Sequence, residues 1–206
     1  AYTVVNKDGN AISRLRYKSH IIYDGKYTIC GMPSLYAGDS SVQTLEVTLE
    51  DAIAGFSVVL YYSVFDDYNV ITRCAKITNI SPEPLSITRA MSAHLDLPVG
   101  NYDTVHFAGW WGRERDLERT SLQKGQIVEM SSARGGSGHQ VNPFVMVSTP
   151  DANETAGAVY GFSLIYSGDH ATLAAMDVNR RVRVSMGINP LNFSWKLAEK
   201  ESFMTP

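Results

Sequence analysis

The chain has 206 residues; 18 Lys and Arg against 21 Asp and Glu give a formal net charge of −3, and 44% of the residues are hydrophobic against 19% charged. These proportions belong to an ordinary globular chain able to bury a core, and the expectation is a single domain over residues 1–206. No apolar run reaches the roughly 18 to 20 residues of a membrane helix, and no Lys/Arg stripe is dense enough to displace counterions from phosphates, so neither a membrane nor a nucleic acid is an expected partner.

The chain opens on Ala1, with neither Met nor a signal peptide, and reads as a piece of a longer polypeptide. After a turn at Asp8-Gly9-Asn10, Leu45, Val47 and Leu49 alternate with Glu46, Thr48 and Glu50, and Phe56, Val58, Leu60, Tyr62 and Val64 share one parity. A period of two is that of strands with one buried side. Asp66 to Asn69 read as a hairpin turn between a strand ending at Phe65 and one beginning at Val70. Beyond Ser81-Pro82-Glu83-Pro84, the apolar positions Leu85, Ile87, Met91, Ala93, Leu95 and Leu97, interrupted by Arg89, predict one long strand. Tyr160, Phe162, Leu164 and Tyr166 alternate through a stretch apolar enough to be covered on both faces, and Val182, Val184, Met186 and Ile188 alternate with Arg181, Arg183 and Ser185. Further turn signals lie at Pro98–Asn101, Pro150–Asn153, Ser167–Asp169 and Asn189-Pro190, and Ala133–Gly138 reads as a glycine-rich loop. Short strands punctuated this often predict an all-β protein, an antiparallel β-sandwich with little helix.

Two cysteines, Cys30 and Cys74, are too few for a disulfide scaffold and match no zinc spacing. Both read as buried thiols, and with no signal peptide they favour a cytoplasmic origin. His94 and Asp96 fall two apart on one strand face without a visible third ligand, and His20 and His106 have no cluster around them, so no metal and no cofactor is expected. Motifs of activated serine, zinc-protease and phosphate-loop chemistry are absent.

The segment Gly109-Trp110-Trp111-Gly112-Arg113-Glu114-Arg115-Asp116-Leu117-Glu118-Arg119 is the densest unusual run. If extended, it sends Arg113, Arg115 and Arg119 to one side and Glu114, Asp116 and Glu118 to the other. Adjacent indoles flanked by glycines suit a sugar-binding or partner surface; a core tryptophan followed by a solvated, self-paired charge run is the alternative. His139, Gln140 and Asn142 gather an imidazole and two amides beside Pro143 and could grip hydroxyls, or could cap turn backbone.

With these residues in view, the chain resembles the N-terminal domain of bacterial glycoside hydrolase family 36 α-galactosidases. The resemblance is carried by Leu15–Lys26, Gly31–Tyr36, Tyr68–Arg73, Arg89–Pro98, Gly112–Arg119, Ser137–Phe144, Val159–Gly168, Met186–Pro190 and Phe193–Trp195, in that order, and covers essentially the whole chain. It implies a β-supersandwich of the galactose-mutarotase-like kind, placed before a (β/α) barrel that holds an aspartate nucleophile and an aspartate acid/base. By resemblance the parent enzyme removes terminal α-linked galactose from melibiose- and raffinose-type sugars with retention, and it assembles as a homo-oligomer, often a tetramer, whose N-terminal domains help wall neighbouring active sites. The same resemblance implies strands upstream of Ala1, so the domain is expected to be incomplete at its N-terminal end. The fragment alone is expected to be inactive, with its own C-terminal catalytic barrel as partner and an α-galactoside as the parent's substrate. The candidate rim or interface residues are Trp110, Trp111, Arg113, Glu114 and Arg115, then His139, Gln140 and Asn142. Two other readings stay open: a stand-alone carbohydrate-binding module, and a mutarotase-like enzyme with His94, His106 or His139 as nominal acid.

Overall fold

The computed structural model describes residues 1–38 and 41–206. Among the described residues it contains no helix. The strands are β1 (Tyr2–Val5), β2 (Arg16–Asp24), β3 (Val42–Asp51), β4 (Phe56–Phe65), β5 (Val70–Asn79), β6 (Leu85–Leu97), β7 (Asp103–Trp110), β8 (Arg113–Ser121), β9 (Ile127–Ser132), β10 (Val141–Ser148), β11 (Val159–Ser163), β12 (His170–Met176), β13 (Val182–Ile188), β14 (Trp195–Leu197) and β15 (Ser202–Met204). The fold is all-β, and every pairing described is antiparallel. No helix of the described residues is long and apolar enough to cross a membrane. The chain divides into two compact units, Ala1–Ser92 with Asn192–Pro206, and Ala93–Leu191.

The first unit contains a five-stranded sheet in the order β15-β5-β4-β3-β2. The β4–β5 hairpin has the bounds that the alternation predicts, with Phe65 facing Val70 across the Asp66–Asn69 turn. Polar positions inside the sheet are satisfied locally, because Thr44 and Ser63 lie opposite each other and their buried hydroxyls are 2.7 Å apart. β1 and β14 pair the first part of β6, and the Tyr2 ring meets Phe56 of β4 edge-on at 5.7 Å. Phe56, Ile77, Ile87 and Leu197 are almost inaccessible, and burying each such side chain contributes roughly 1.5 to 3 kcal/mol. Asn79 donates from its buried amide to the carbonyls of Glu83 and Leu197, at 2.8 and 3.0 Å, and so pins the Ser81–Pro84 turn.

The two cysteines differ. Cys74 is buried in β5, and burial pushes its thiol up to about 12. Cys30 is exposed, contrary to the sequence reading: it sits in the turn-rich connection between β2 and β3, where no pleated neighbour covers it.

The second unit is a sandwich. The last residues of β6, from Ala93, lie beside β13, β12 and β9 in that order, and the other sheet runs β11-β10-β7-β8. Between them Leu97, Val147, Ala174, Val182 and Val184 form one buried cluster, and Met130, Val145, Leu164 and Met186 another. β6 and β13 have the bounds that their alternation predicts. β11 does not behave as its composition suggests: it is an edge strand whose Tyr160 and Phe162 are half-buried, while Val159, Gly161 and Ser163 are exposed. Among the described residues of the second unit its sheet packs against one other sheet, so covering within the unit is one-sided however apolar the strand is.

Candidate functional site

The Trp110–Arg119 segment forms the tip of the β7–β8 hairpin, with Trp110 facing Arg113 across a turn of Trp111 and Gly112. Gly112 has φ of +80°, which a two-residue connection needs and glycine supplies without strain. The ladder is irregular between Ala108 and Trp110. Gly109 has φ of +144°, and a Cβ there would fall against the Arg113 carbonyl oxygen. Arg115 takes φ of +61°. These distortions break the simple two-sided projection of arginines and carboxylates that an extended segment would give, and all nine residues of β8 are exposed.

Each charged side chain at the tip has its own setting. The Arg113 guanidinium stacks on the Trp110 ring at 5.4 Å. Glu114 accepts the Gly112 N–H at 3.0 Å; its own and Gly112's amides, aided by the charges of His139 and Arg115, hold its carboxyl below the usual glutamate range. Arg119 belongs to a structural clamp, donating to Asp103 at 2.6 Å and to the carbonyls of Thr149, Pro150 and Ala152. Trp110 is 54% exposed and Trp111 87%, so neither is the core tryptophan of the alternative reading.

His139 and Gln140 occupy the turn closed by the Gly138–Val141 bridge, and Asn142 follows, half-buried, at the start of β10. None of the three side chains makes a hydrogen bond among the described residues. Val141 pairs Ala108 of β7, which brings this turn beside the tryptophan hairpin. A cleft of about 430 Å³ lies there. Gly109 and Trp110 line it from β7, Ser131 and Ser132 from β9, and Arg134 and Gln140 from the connecting loop. Two segments singled out separately in the sequence therefore meet at one concavity through Trp110 and Gln140.

Ser131, Ser132 and Arg134 are polar lining residues that sequence reasoning missed; the signal for Arg134 is a cation inside the Ala133–Gly138 glycine loop. Arg134 is exposed and has no ion-pair partner among the described residues. His170 was also passed over: it is buried in β12, donates from Nε2 to the Val141 carbonyl at 3.2 Å, and burial lowers its pKa. This hydrogen bond ties the start of β10 to β12.

The remaining candidates do not join the cleft. His94 Nδ1 lies 2.7 Å from the Ser185 hydroxyl, and Asp96 receives Arg183 bidentately at 2.5 and 2.7 Å. His106 lies 3.5 Å from Glu118 across the β7–β8 pair, and His20 meets the Tyr17 hydroxyl at 2.5 Å. Among the described residues, no group of three or more His, Cys, Asp or Glu side chains could hold a metal ion.

Residues 1–198 match the glycosyl hydrolase family 36 N-terminal domain, and the chain belongs to that family. It is 44% identical over 207 residues to alpha-galactosidase AgaA of Geobacillus stearothermophilus, a match that covers 100% of this chain and 28% of that protein. It is 38% identical over 206 residues to the bifunctional alpha-galactosidase/sucrose kinase AgaSK of Mediterraneibacter gnavus, covering 100% of this chain and 22% of the other. A crystal structure of an AgaA variant in complex with raffinose superposes with a TM-score of 0.96 at 43% identity, over 100% of this chain and 29% of that one. The chain thus spans less than a third of the length of these relatives.

Proposed function

We propose that residues 1–206 work as the N-terminal, non-catalytic domain of a retaining α-galactosidase acting on melibiose- and raffinose-type sugars. The observation that carries this reading is the match along the entire chain to AgaA, in sequence and in backbone, at 44% identity and a TM-score of 0.96. The carboxylates of the chain support the non-catalytic part. Asp96 is held by Arg183 and Asp103 by Arg119 and Ser121, while Asp66 accepts from Ser41 beside a hairpin turn. A retaining glycosidase needs two carboxyl groups about 5 Å apart flanking the scissile bond, and these three aspartates are instead engaged in structural contacts. In this reading the catalytic aspartates belong to a barrel C-terminal to the domain, and the protein works as a homo-oligomer, of tetrameric kind, in the cytoplasm. The free thiols of Cys30 and Cys74 suit a reducing compartment.

Trp110, Trp111, Arg113, Glu114, Arg115, His139, Gln140 and Asn142 then form an active-site rim or a subunit interface. An exposed indole pair beside imidazole and amide side chains that make no hydrogen bond among the described residues fits either use, because both need apolar area with polar margins. Galactose release from raffinose tests the activity: turnover by the full-length protein and none by residues 1–206 is the expected result. An inactive full-length protein, or turnover by residues 1–206 alone, overturns the reading. Trp111→Ala in the full-length protein is expected to raise the KM for raffinose or to change the oligomeric state; if both are unchanged, Trp111 leaves the site.

A further inference from the structure

We propose that the cleft between the β7–β8 hairpin and the 133–140 loop is a non-catalytic site for one hexopyranose ring, which stacks on Trp110 and is gripped through its hydroxyls by Arg134 and Gln140; this takes Trp110 and Gln140 out of the rim or interface and leaves that role to the other six candidates. The volume, about 430 Å³, lies within the range of about 300 to 1,000 Å³ typical of small-molecule sites. The lining supplies the two kinds of surface that a pyranose presents. The indole of Trp110, 54% exposed, offers a flat apolar plate for the C–H face of a ring. Arg113 stacked on that indole at 5.4 Å holds the plate in place before any ligand arrives, which lowers the ordering cost of binding.

The polar part of the lining points to a neutral polyol. Ser131, Ser132 and Gln140 can both donate and accept, as sugar hydroxyls do, and Arg134 donates in a fork that spans two neighbouring oxygens. Arg134 and Gln140 are uncommitted to other side chains among the described residues, whereas Arg119 and Arg183 are tied into clamps. A single lining cation and no lining carboxylate leave the cleft poorly matched to a phosphate-rich ligand or to a cationic one. Gly109 lets β7 and β8 close to a distance that no Cβ would allow, and the buried His170 fixes the Val141 end of β10.

The choice of galactoside rests on the reading of the preceding subsection; the cleft itself does not. The test therefore uses the full-length protein with its catalytic centre saturated by 1-deoxygalactonojirimycin, the ligand bound in one AgaA crystal structure, and titrates raffinose by calorimetry. The expected result is one residual raffinose site per chain with Kd on the order of 1 mM, weakened at least about tenfold by Trp110→Ala and by Arg134→Ala. Trp110→Phe, which keeps a ring, stays within about threefold of the wild type. Absence of residual binding, or residual binding that Trp110→Ala and Arg134→Ala leave unchanged, overturns the proposal. Arg134 and Gln140 are exposed, so Arg134→Ala and Gln140→Ala carry the test even if Trp110→Ala does not fold. A full-length protein without α-galactosidase activity would sink the preceding reading alone. The same variants titrated with methyl α-glucoside and methyl α-mannoside, without inhibitor, then decide the cleft.

Discussion

Arginines recur at alternate positions in two regions of the second unit, Arg113, Arg115 and Arg119 along β8, and Arg181 and Arg183 at β13. In β13 the apolar parity is buried: Val182, Val184 and Met186 lie between the sheets; on the other parity Ser185 and Gly187 are covered as well, and Arg183 projects outward to a bidentate pair with Asp96. In β8 no residue is buried on either face, and its arginines go to a stacked indole, a left-handed backbone position and a carbonyl clamp. The strands differ in place rather than in pattern. β13 has neighbours on both sides and a sheet facing it, whereas β8 is an edge strand with an irregular register. An edge strand's charges guard it against unwanted pairing, and they are also free to build a site.

The largest effect that would break the comparison comes from Gly109→Ala. A methyl group forced against the Arg113 carbonyl at a φ that L-residues rarely adopt is expected to cost about 3 kcal/mol, through strain and a sprung hairpin. Thermal unfolding of the full-length variant reads this; a change below about 1 kcal/mol would mean that the hairpin has an alternative closed geometry. Truncations in the two strands come next. Val184→Ala is expected to cost about 2 kcal/mol, and Leu117→Ala, at a residue 55% exposed, no more than about 0.5 kcal/mol. Urea midpoints of the pair measure the contrast, and an equal loss at Leu117 would show that β8 is covered in the whole protein.

The smallest effect belongs to the outward face of β13. Arg183, first by its hydrogen bonds and then by its charge, keeps the Asp96 carboxyl below the ordinary aspartate range. A depressed carboxylate contributes stability that is present above the unfolded-state pKa and lost as pH falls through the folded one. Both side chains are more than half exposed, so screening limits the pair to less than about 1 kcal/mol. Arg183→Ala should therefore lower stability slightly at neutral pH, by less than about 1 kcal/mol, and the difference from the wild type should vanish as pH falls below the ordinary aspartate range. A large loss at neutral pH would place Arg183 in a buried network instead.

Much of the fold was legible because it is local. Period-two patterns and turn residues sit within a few positions of one another, and they give the bounds of β6 and of the β4–β5 hairpin directly. What failed was coverage. Tyr160 and Phe162 advertise a strand buried on both sides, yet the number of sheets stacked against β11 depends on distant segments. Cys30 reads as buried by residue type, and its exposure follows from lying in a connection. The candidate site was half legible: the tryptophan and His139–Asn142 segments stand out as sequence, but their meeting depends on Val141 pairing Ala108, a register that no local pattern encodes. Arg134 had no signal beyond its glycine neighbours, because an uncommitted cation is recognised only when its surroundings are known.

The clamp made by Arg119 has a consequence for how the hairpin and its neighbouring turn can change over time. Its guanidinium recognises Thr149, Pro150 and Ala152 through their main-chain oxygens, and a carbonyl is the same group whatever residue carries it. Side chains such as that of Pro150 are therefore free to drift across descendants of this chain provided the turn keeps its path, while position 119 is not. Lysine, with a single ammonium in place of a planar fork, would not reach the same set of oxygens. Variation in the turn and constancy of its anchor are two expressions of one contact.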